Sequence, residues 1–162
     1  MQRERSKRAV DFFYKGYNCA QSVACAYADV TGLSTEKAYR AAAGLGAGVG
    51  GMRLTCGALT AAAMIAGLHL GDYDPDDNEK KKNLYAVVTA IGEAFTKKFE
   101  SSCCYDLLTR AGIDISGQPK ERNEDYYRGR PCGSFIEYAA LLIEEKVFNG
   151  AVEQPPEKSG GR

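Results

Sequence analysis

The chain contains no tryptophan and a single histidine, His69, in 162 residues. One imidazole excludes metal sites built on several histidines, and it leaves any Cys–His nucleophile pair resting on one unsupported contact. Net charge is missing as well, because 21 Lys and Arg balance 21 Asp and Glu. That balance removes the basic field needed for sequence-independent nucleic-acid binding, and equally the self-repulsion of an acidic disordered chain. Long apolar runs are absent: the weakly polar stretch from Cys56 to Leu70 is rich in Ala and Gly and shorter than the roughly 20 strongly apolar residues of a membrane span. It reads as a buried helix, with no membrane partner. The opening residues Met1 to Arg8 are charged and lack the apolar core and small-residue cleavage site of a secretory leader, so a cytoplasmic location is expected.

Strand signals are scarce and helical periodicity dominates, which predicts an all-α fold, a single compact bundle of about five to seven helices. The length suits one domain, drawn over residues 1–153, with a flexible C-terminal tail over 154–162. Val10, Phe13 and Tyr14 share a face of a first helix from Ser6 to Tyr14, stopped by Gly16. Asn18 suits the N-cap of a second, running through Val23, Ala26, Tyr27 and Val30 to Gly32. Ser34 can cap a third, with Tyr39, Ala42 and Ala43 packing inward. A fourth runs from Cys56 to about Leu70 behind a Thr55 cap, and its small residues suit a central position. Glu79 to Phe99 places Leu84, Val87, Val88, Ile91, Phe95 and Phe99 at helical spacing. Ser101 and Ser102 can cap a short helix through Leu108, Ala111 to Arg130 is an irregular polar excursion, and Pro131 opens a last helix to Phe148.

Six cysteines are unusual for a reducing compartment, where thiols serve metal or redox chemistry more often than disulfide scaffolds. Cys19 follows Asn18, Cys56 follows Thr55, Cys103 and Cys104 follow Ser102, and Cys132 follows Pro131. Each is an expected helix start, whose unpaired N–H groups are worth roughly 0.3–1 kcal/mol to a nearby anion and so favour thiolate, the form that attacks and ligates. Burial as a small apolar side chain is the competing reading for all of them, and the preferred one for Cys25, which sits mid-helix between Ala24 and Ala26. Spacing decides little: there is no Cys-x-x-Cys, and the intervals match no zinc ribbon or ferredoxin run.

Gly44 to Gly51 is a run that neither helix nor strand favours, since each glycine gives up extra backbone entropy on ordering. Residues 46, 48 and 51 satisfy Gly-x-Gly-x-x-Gly, yet a helix precedes them where a dinucleotide site requires a strand. A glycine-rich backbone just before Cys56 can instead bring N–H donors against sulfur, which marks Gly48, Gly50, Gly51 and Gly57 as candidate cofactor-binding residues.

Asn18-Cys-Ala-Gln21, the glycine loop leading into Cys56-Gly-Ala-Leu-Thr-Ala61, Cys104-Tyr-Asp-Leu-Leu108 and Arg130-Pro-Cys132 together resemble the redox-active C_GCAxxG_C_C family, over about Phe12 to Leu142. Where the family motif closes on glycine, this chain has Ala61. The resemblance implies that the four defining cysteines are Cys19, Cys56, Cys104 and Cys132, with Cys25 and Cys103 extra, and it alone separates Cys104 from Cys103. It also implies redox chemistry. A related cysteine-bearing region in split-Soret cytochromes is associated with an iron-sulfur centre, which makes an iron-sulfur cluster the leading cofactor here, 2Fe-2S favoured over 4Fe-4S.

The expectation is therefore an electron-transfer protein with a cluster on Cys19, Cys56, Cys104 and Cys132, serving a redox partner protein. Two alternatives use the same thiols: a metal-free thiol–disulfide oxidoreductase or redox sensor, and a structural zinc clamp. A homodimer is plausible through the aromatic faces of Tyr14, Tyr27, Phe95 and Phe99. Asp72, Asp74 and Asp76 imitate a calcium loop but lack its glycine and its bidentate Glu, so they read as capping and solvation. Lys80 to Lys82 read as a solvated face, and Arg128 and Arg130 as a source of positive potential just before Cys132.

Overall fold

The computed structural model describes residues 2–150; the tail drawn over 154–162 lies outside the described residues. Seven helices have seven or more residues, and the described residues form no strand, only an isolated antiparallel bridge between Thr55 and Cys103. The expected all-α fold holds.

α1 (Gln2–Tyr14) begins earlier than Ser6 and buries Ala9 and Phe13. Next, the Asn18 side chain accepts from the Gln21 amide at 2.8 Å while the Gln21 side chain accepts from the Asn18 amide at 3.1 Å. This reciprocal capping box launches α2 (Cys19–Ala26) and makes Cys19 its first residue. The second helix does not run unbroken to Gly32: the chain leaves helical geometry at Tyr27 (φ −109°, ψ 7°), and a separate turn spans Ala28–Thr31. Tyr27 is fully buried there, with its hydroxyl donating to the Ala140 carbonyl at 2.8 Å, and Val30 is left exposed.

Ser34 caps α3 (Thr35–Ala42) by accepting from the Lys37 amide, as expected. Only Ala38 and Ala42 of this helix are buried; Tyr39, at 43% exposure, and Ala43 face outward, against expectation. The short element turns its alanine stripe to α2 and spends its other face on solvent.

α4 (Gly57–Leu70) is the central helix, packed on α2, on the long helix that follows it and on the last helix of the chain. Fully buried Ala58, Ala61, Ala62 and Ala66 let neighbouring backbones come close. Ala61 is accommodated at the position where the motif prefers glycine. Thr55 is not its cap: Thr55 is taken up in the bridge to Cys103, and Cys56 itself occupies the N-cap with extended ψ 131°. α5 (Asn78–Phe99) starts where Asp77 accepts from the Lys80 amide, and buries Leu84, Ile91 and Phe95.

α6 (Cys104–Arg110) has Cys103 at its N-cap rather than a serine, although Ser101 Oγ accepts from the Cys103 amide at 3.0 Å and donates to Asp106 at 3.0 Å. The stretch from Ala111 to Arg130 is irregular apart from a turn at Glu124–Tyr127, and Tyr127 ties it back by donating to the Phe13 carbonyl at 3.0 Å. α7 (Cys132–Ile143) follows Pro131 and continues as a π-helical turn, Glu144–Phe148. Of the aromatics expected on a shared outer face, Tyr27 and Phe95 lie in the core and only Tyr14 is well exposed.

The cap of α2 carries a testable energy. Asn18→Ala removes the acceptor for the Gln21 amide and a donor to the Ala43 carbonyl. It should cost about 1–2 kcal/mol, read as a lowered urea midpoint with unchanged slope.

Candidate functional site

Four helix starts meet. α2, α4, α6 and α7 begin around one cavity of about 540 Å³, and Cys19, Cys56, Cys104 and Cys132 all line it. The structure therefore gathers the four cysteines chosen on the sequence and leaves two aside. Cys25 lies in the core, 3.7 Å from the Thr35 carbonyl that it faces as donor. Cys103 turns its sulfur to the Arg53 carbonyl at 3.3 Å and is not part of the cavity wall. All six cysteines are free thiols.

Backbone hydrogen bonds set the spacing of the α4 and α6 starts. The Cys56 amide donates to the Ser102 carbonyl (2.9 Å), Cys104 to Leu54 (2.6 Å) and Tyr105 to Arg53 (3.1 Å). At the α2 side the constraint is steric. A Cβ built on Gly57 would collide with the Cys19 sulfur and stand 3.0 Å from the Leu45 carbonyl, so only glycine lets the start of α4 approach that closely.

The glycine run is a structured strap rather than a loose loop. Ala47, Gly48, Val49, Gly50 and Gly51 all have positive φ, from 54° to 86°, and Arg53 follows at 60°. For Ala47, and above all β-branched Val49, that conformation costs on the order of 1–3 kcal/mol each. Bonds from the Arg53 amide to the Ala47 carbonyl (3.2 Å) and from Leu54 to Gly48 (3.0 Å) hold it. Gly50, Gly51 and Gly57 line the cavity, whereas Gly48 does not; its Cα faces the Arg53–Leu54 backbone, with no room for a side chain. Gly46 and Ala47 are wall residues that the sequence reading passed over.

The strained strap delivers Arg53 to the wall, where its guanidinium donates toward the Cys104 sulfur at 3.8 Å. Arg130 lines the cavity and acts on Cys132, and Arg122 and Lys120 add further positive charge. Arg128 does not contribute, being exposed and paired with Asp125 at 3.1 Å. Neither Arg122 nor the segment from Asp114 to Lys120 stood out in the sequence, because nothing in a polar excursion says which residues fold back over a site.

Helix starts favour thiolates, yet burial prevails here. Desolvation pushes the Cys56 thiol well above its ordinary value, helped by the nearby Cys19, Cys132 and Cys104 sulfurs and opposed by the Ala58 amide. Cys132 rises to about 11, through burial and then Cys19, against the pull of Arg130. Cys104 is raised by burial and held back by Arg53. The expectation that helix dipoles would leave these groups ionised is thus corrected, since the cost of a desolvated charge exceeds what a helix start returns.

The donor set is chemically uniform. Four sulfurs face the cavity, and its one carboxylate, Asp114, is tied to Lys120 at 2.8 Å and to Ser116. Soft thiol donors suit iron-sulfur clusters or zinc and do not suit calcium or magnesium. Among the described residues, no group of three or more His, Cys, Asp or Glu is arranged to hold a metal ion as it stands.

The family model described as "Putative redox-active protein (C_GCAxxG_C_C)" matches residues 17–146. The chain belongs to this family. Its match runs from just before Cys19 to beyond Cys132, so all four motif cysteines fall inside it. No curated protein and no solved structure matches the chain. No helix among the described residues is long and apolar enough to cross a membrane.

The sorting of the cysteines has a direct test at Cys25. Burial alone pushes its thiol up to about 11, and alkylation requires the thiolate. At pH 7.5, iodoacetamide should label Cys25 at least about a hundredfold more slowly in the folded chain than in urea, as read by peptide mass spectrometry. Equal rates in the two states would place Cys25 outside the core.

Proposed function

We propose that Cys19, Cys56, Cys104 and Cys132 hold an iron-sulfur cluster in this cavity and that the chain carries electrons through it to a redox partner. The observation that supports the reading is the meeting of four thiols from four helix starts on one cavity whose wall brings arginines to two of them. Membership of a redox-active family agrees with it. Such a cluster, when bound, supplies a reversible one-electron centre whose potential depends on charge, hydrogen bonds and solvent exposure.

The chain's own part is positioning, charge and dryness. Gly57 lets Cys19 and Cys56 stand side by side, and the Thr55–Cys103 bridge sets Cys56 beside Cys104. Arg53 donates toward Cys104 and Arg130 lies by Cys132, so cationic groups offset the negative charge that four thiolates would bring. Ligation releases the thiol protons, and helix-start N–H groups then face sulfur in its anionic form. Phe13, Leu107, Leu108 and Phe135 supply an apolar lining that limits water.

The two-iron form remains favoured over the four-iron form, and absorption and electron paramagnetic resonance spectra would distinguish them. After anaerobic reconstitution the chain should be coloured and contain iron and inorganic sulfide. Cys56→Ser should lose most of the iron, and Cys25→Ser should keep it. Colourless, iron-free protein would overturn the proposal, and stoichiometric zinc without a reducible centre would select the redox-inert clamp.

Gly57→Ala offers a second, milder probe. Its methyl group displaces the Cys19 sulfur, so iron content should fall severalfold while helical circular dichroism stays near wild type. Unchanged iron in Gly57→Ala would show that Cys19 is not held where the ligand is needed.

A further inference from the structure

Arg122 is the cation on the cavity wall that the cysteines do not use. Arg53 reaches Cys104 and Arg130 acts on Cys132, and Lys120 is paired with Asp114. The Arg122 guanidinium instead lies over the Tyr126 ring at 4.2 Å and the Phe13 ring at 5.6 Å. Its Nη1 is buried and finds no hydrogen-bond partner among the described residues. Arg130 stands over the same Tyr126 ring at 4.1 Å. Two guanidinium groups therefore share one aromatic ring, and neither they nor Arg53 form an ion pair with a carboxylate among the described residues.

The Arg122 Nη1 is enclosed against the protein, so the N–H groups left to meet a ligand are those of the remaining guanidinium nitrogens on the cavity wall, a planar edge that suits an oxyanion best. The volume, about 540 Å³, lies within the range of small-molecule pockets. Aromatic walls at Phe13 and Tyr126 with a few cationic donors are the lining of a site for a small organic or inorganic anion.

We infer that Arg122, seated on the Tyr126 ring, forms an oxyanion-binding subsite in the same cavity, which takes a small molecule bearing a carboxylate or a phosphate. The inference rests on the cluster reading for its purpose, since it places the bound anion beside the proposed redox centre. Binding itself needs no cluster. Arg122 anchors the ligand by a forked pair of hydrogen bonds, and the Tyr126 ring keeps the guanidinium in place.

The test uses the full chain, reduced and iron-free, and again after reconstitution, titrated calorimetrically with inorganic phosphate and separately with succinate at constant ionic strength set by chloride. Saturable binding of at least one anion is expected, and the stronger of the two identifies phosphate or carboxylate as the natural group. Arg122→Gln should weaken it at least tenfold, while exposed Arg128→Gln should leave it unchanged. Should Arg122→Gln fail to fold by circular dichroism, Arg122→Lys decides, since it keeps the charge and loses the fork: binding weakened severalfold supports the subsite. Absence of saturable binding to the wild-type chain, or wild-type affinity in the Arg122 variant that folds, overturns it. Iron content reports separately on the cluster, so loss of iron with retained anion binding sinks only the cluster reading.

Discussion

The close approach of the start of α4 to the start of α2 is the constraint on which the site depends. At Gly57 the Cys19 sulfur fills the space that any side chain would need, and the Leu45 carbonyl stands just beyond. Everything else on the cavity wall is arranged around that contact. The alanine-rich faces of α2 and α4 make it possible, because fully buried Ala20, Ala58, Ala61 and Ala62 keep the two helices near enough for their first turns to meet. A bulkier interface would part the sulfurs even with every cysteine in place.

The site stores unfavourable free energy in two forms. One is already present, in Ala47, Val49 and Arg53 at positive φ; the other appears only on ionisation, because desolvation raises the thresholds of Cys56, Cys104 and Cys132. Three of the four non-glycine residues at positive φ among the described residues lie in the strap before Cys56, with Glu100 the fourth, while the distant half of the molecule is ordinary core: Tyr27 bonded to Ala140, Ile65, Ile91 and Phe95 fully enclosed. Strain gathered at one place and offset by packing elsewhere is the pattern of a functional site. The Val49 conformation is the clearest instance, since a branched side chain at φ 64° has no local reason to be there.

The cavity also divides its cations. Arg53 and Arg130 serve sulfurs, Lys120 serves Asp114 and the loop it closes, and Arg122 lies on aromatic rings with a donor to spare. Their sequence positions, in two segments far apart, explain why no basic motif announces them. The net charge of the chain is zero, so this positive field is local, produced by folding.

What could be read from residue order alone was whatever depends on near neighbours. Asn18 with Gln21 spells a helix start, Ser34 another, and the period of Leu84, Ile91 and Phe95 spells a buried stripe. Cysteines set beside such starts could be singled out, and Cys25 set apart, because capping and periodicity act over three or four residues. Contacts between distant segments were beyond that reach. The Thr55–Cys103 bridge displaced an expected cap, Tyr27 broke an expected helix to meet Ala140, and Tyr39 faced solvent because α3 needed only its alanine stripe. Desolvation likewise reversed the expected ionisation of Cys56, Cys104 and Cys132. Burial is set by everything packed around a group and by nothing in its immediate sequence, and for that reason the cysteines at helix starts could be singled out from the chain, with the family resemblance separating Cys104 from Cys103, while their cavity, their arginines and their protons were decided only in three dimensions.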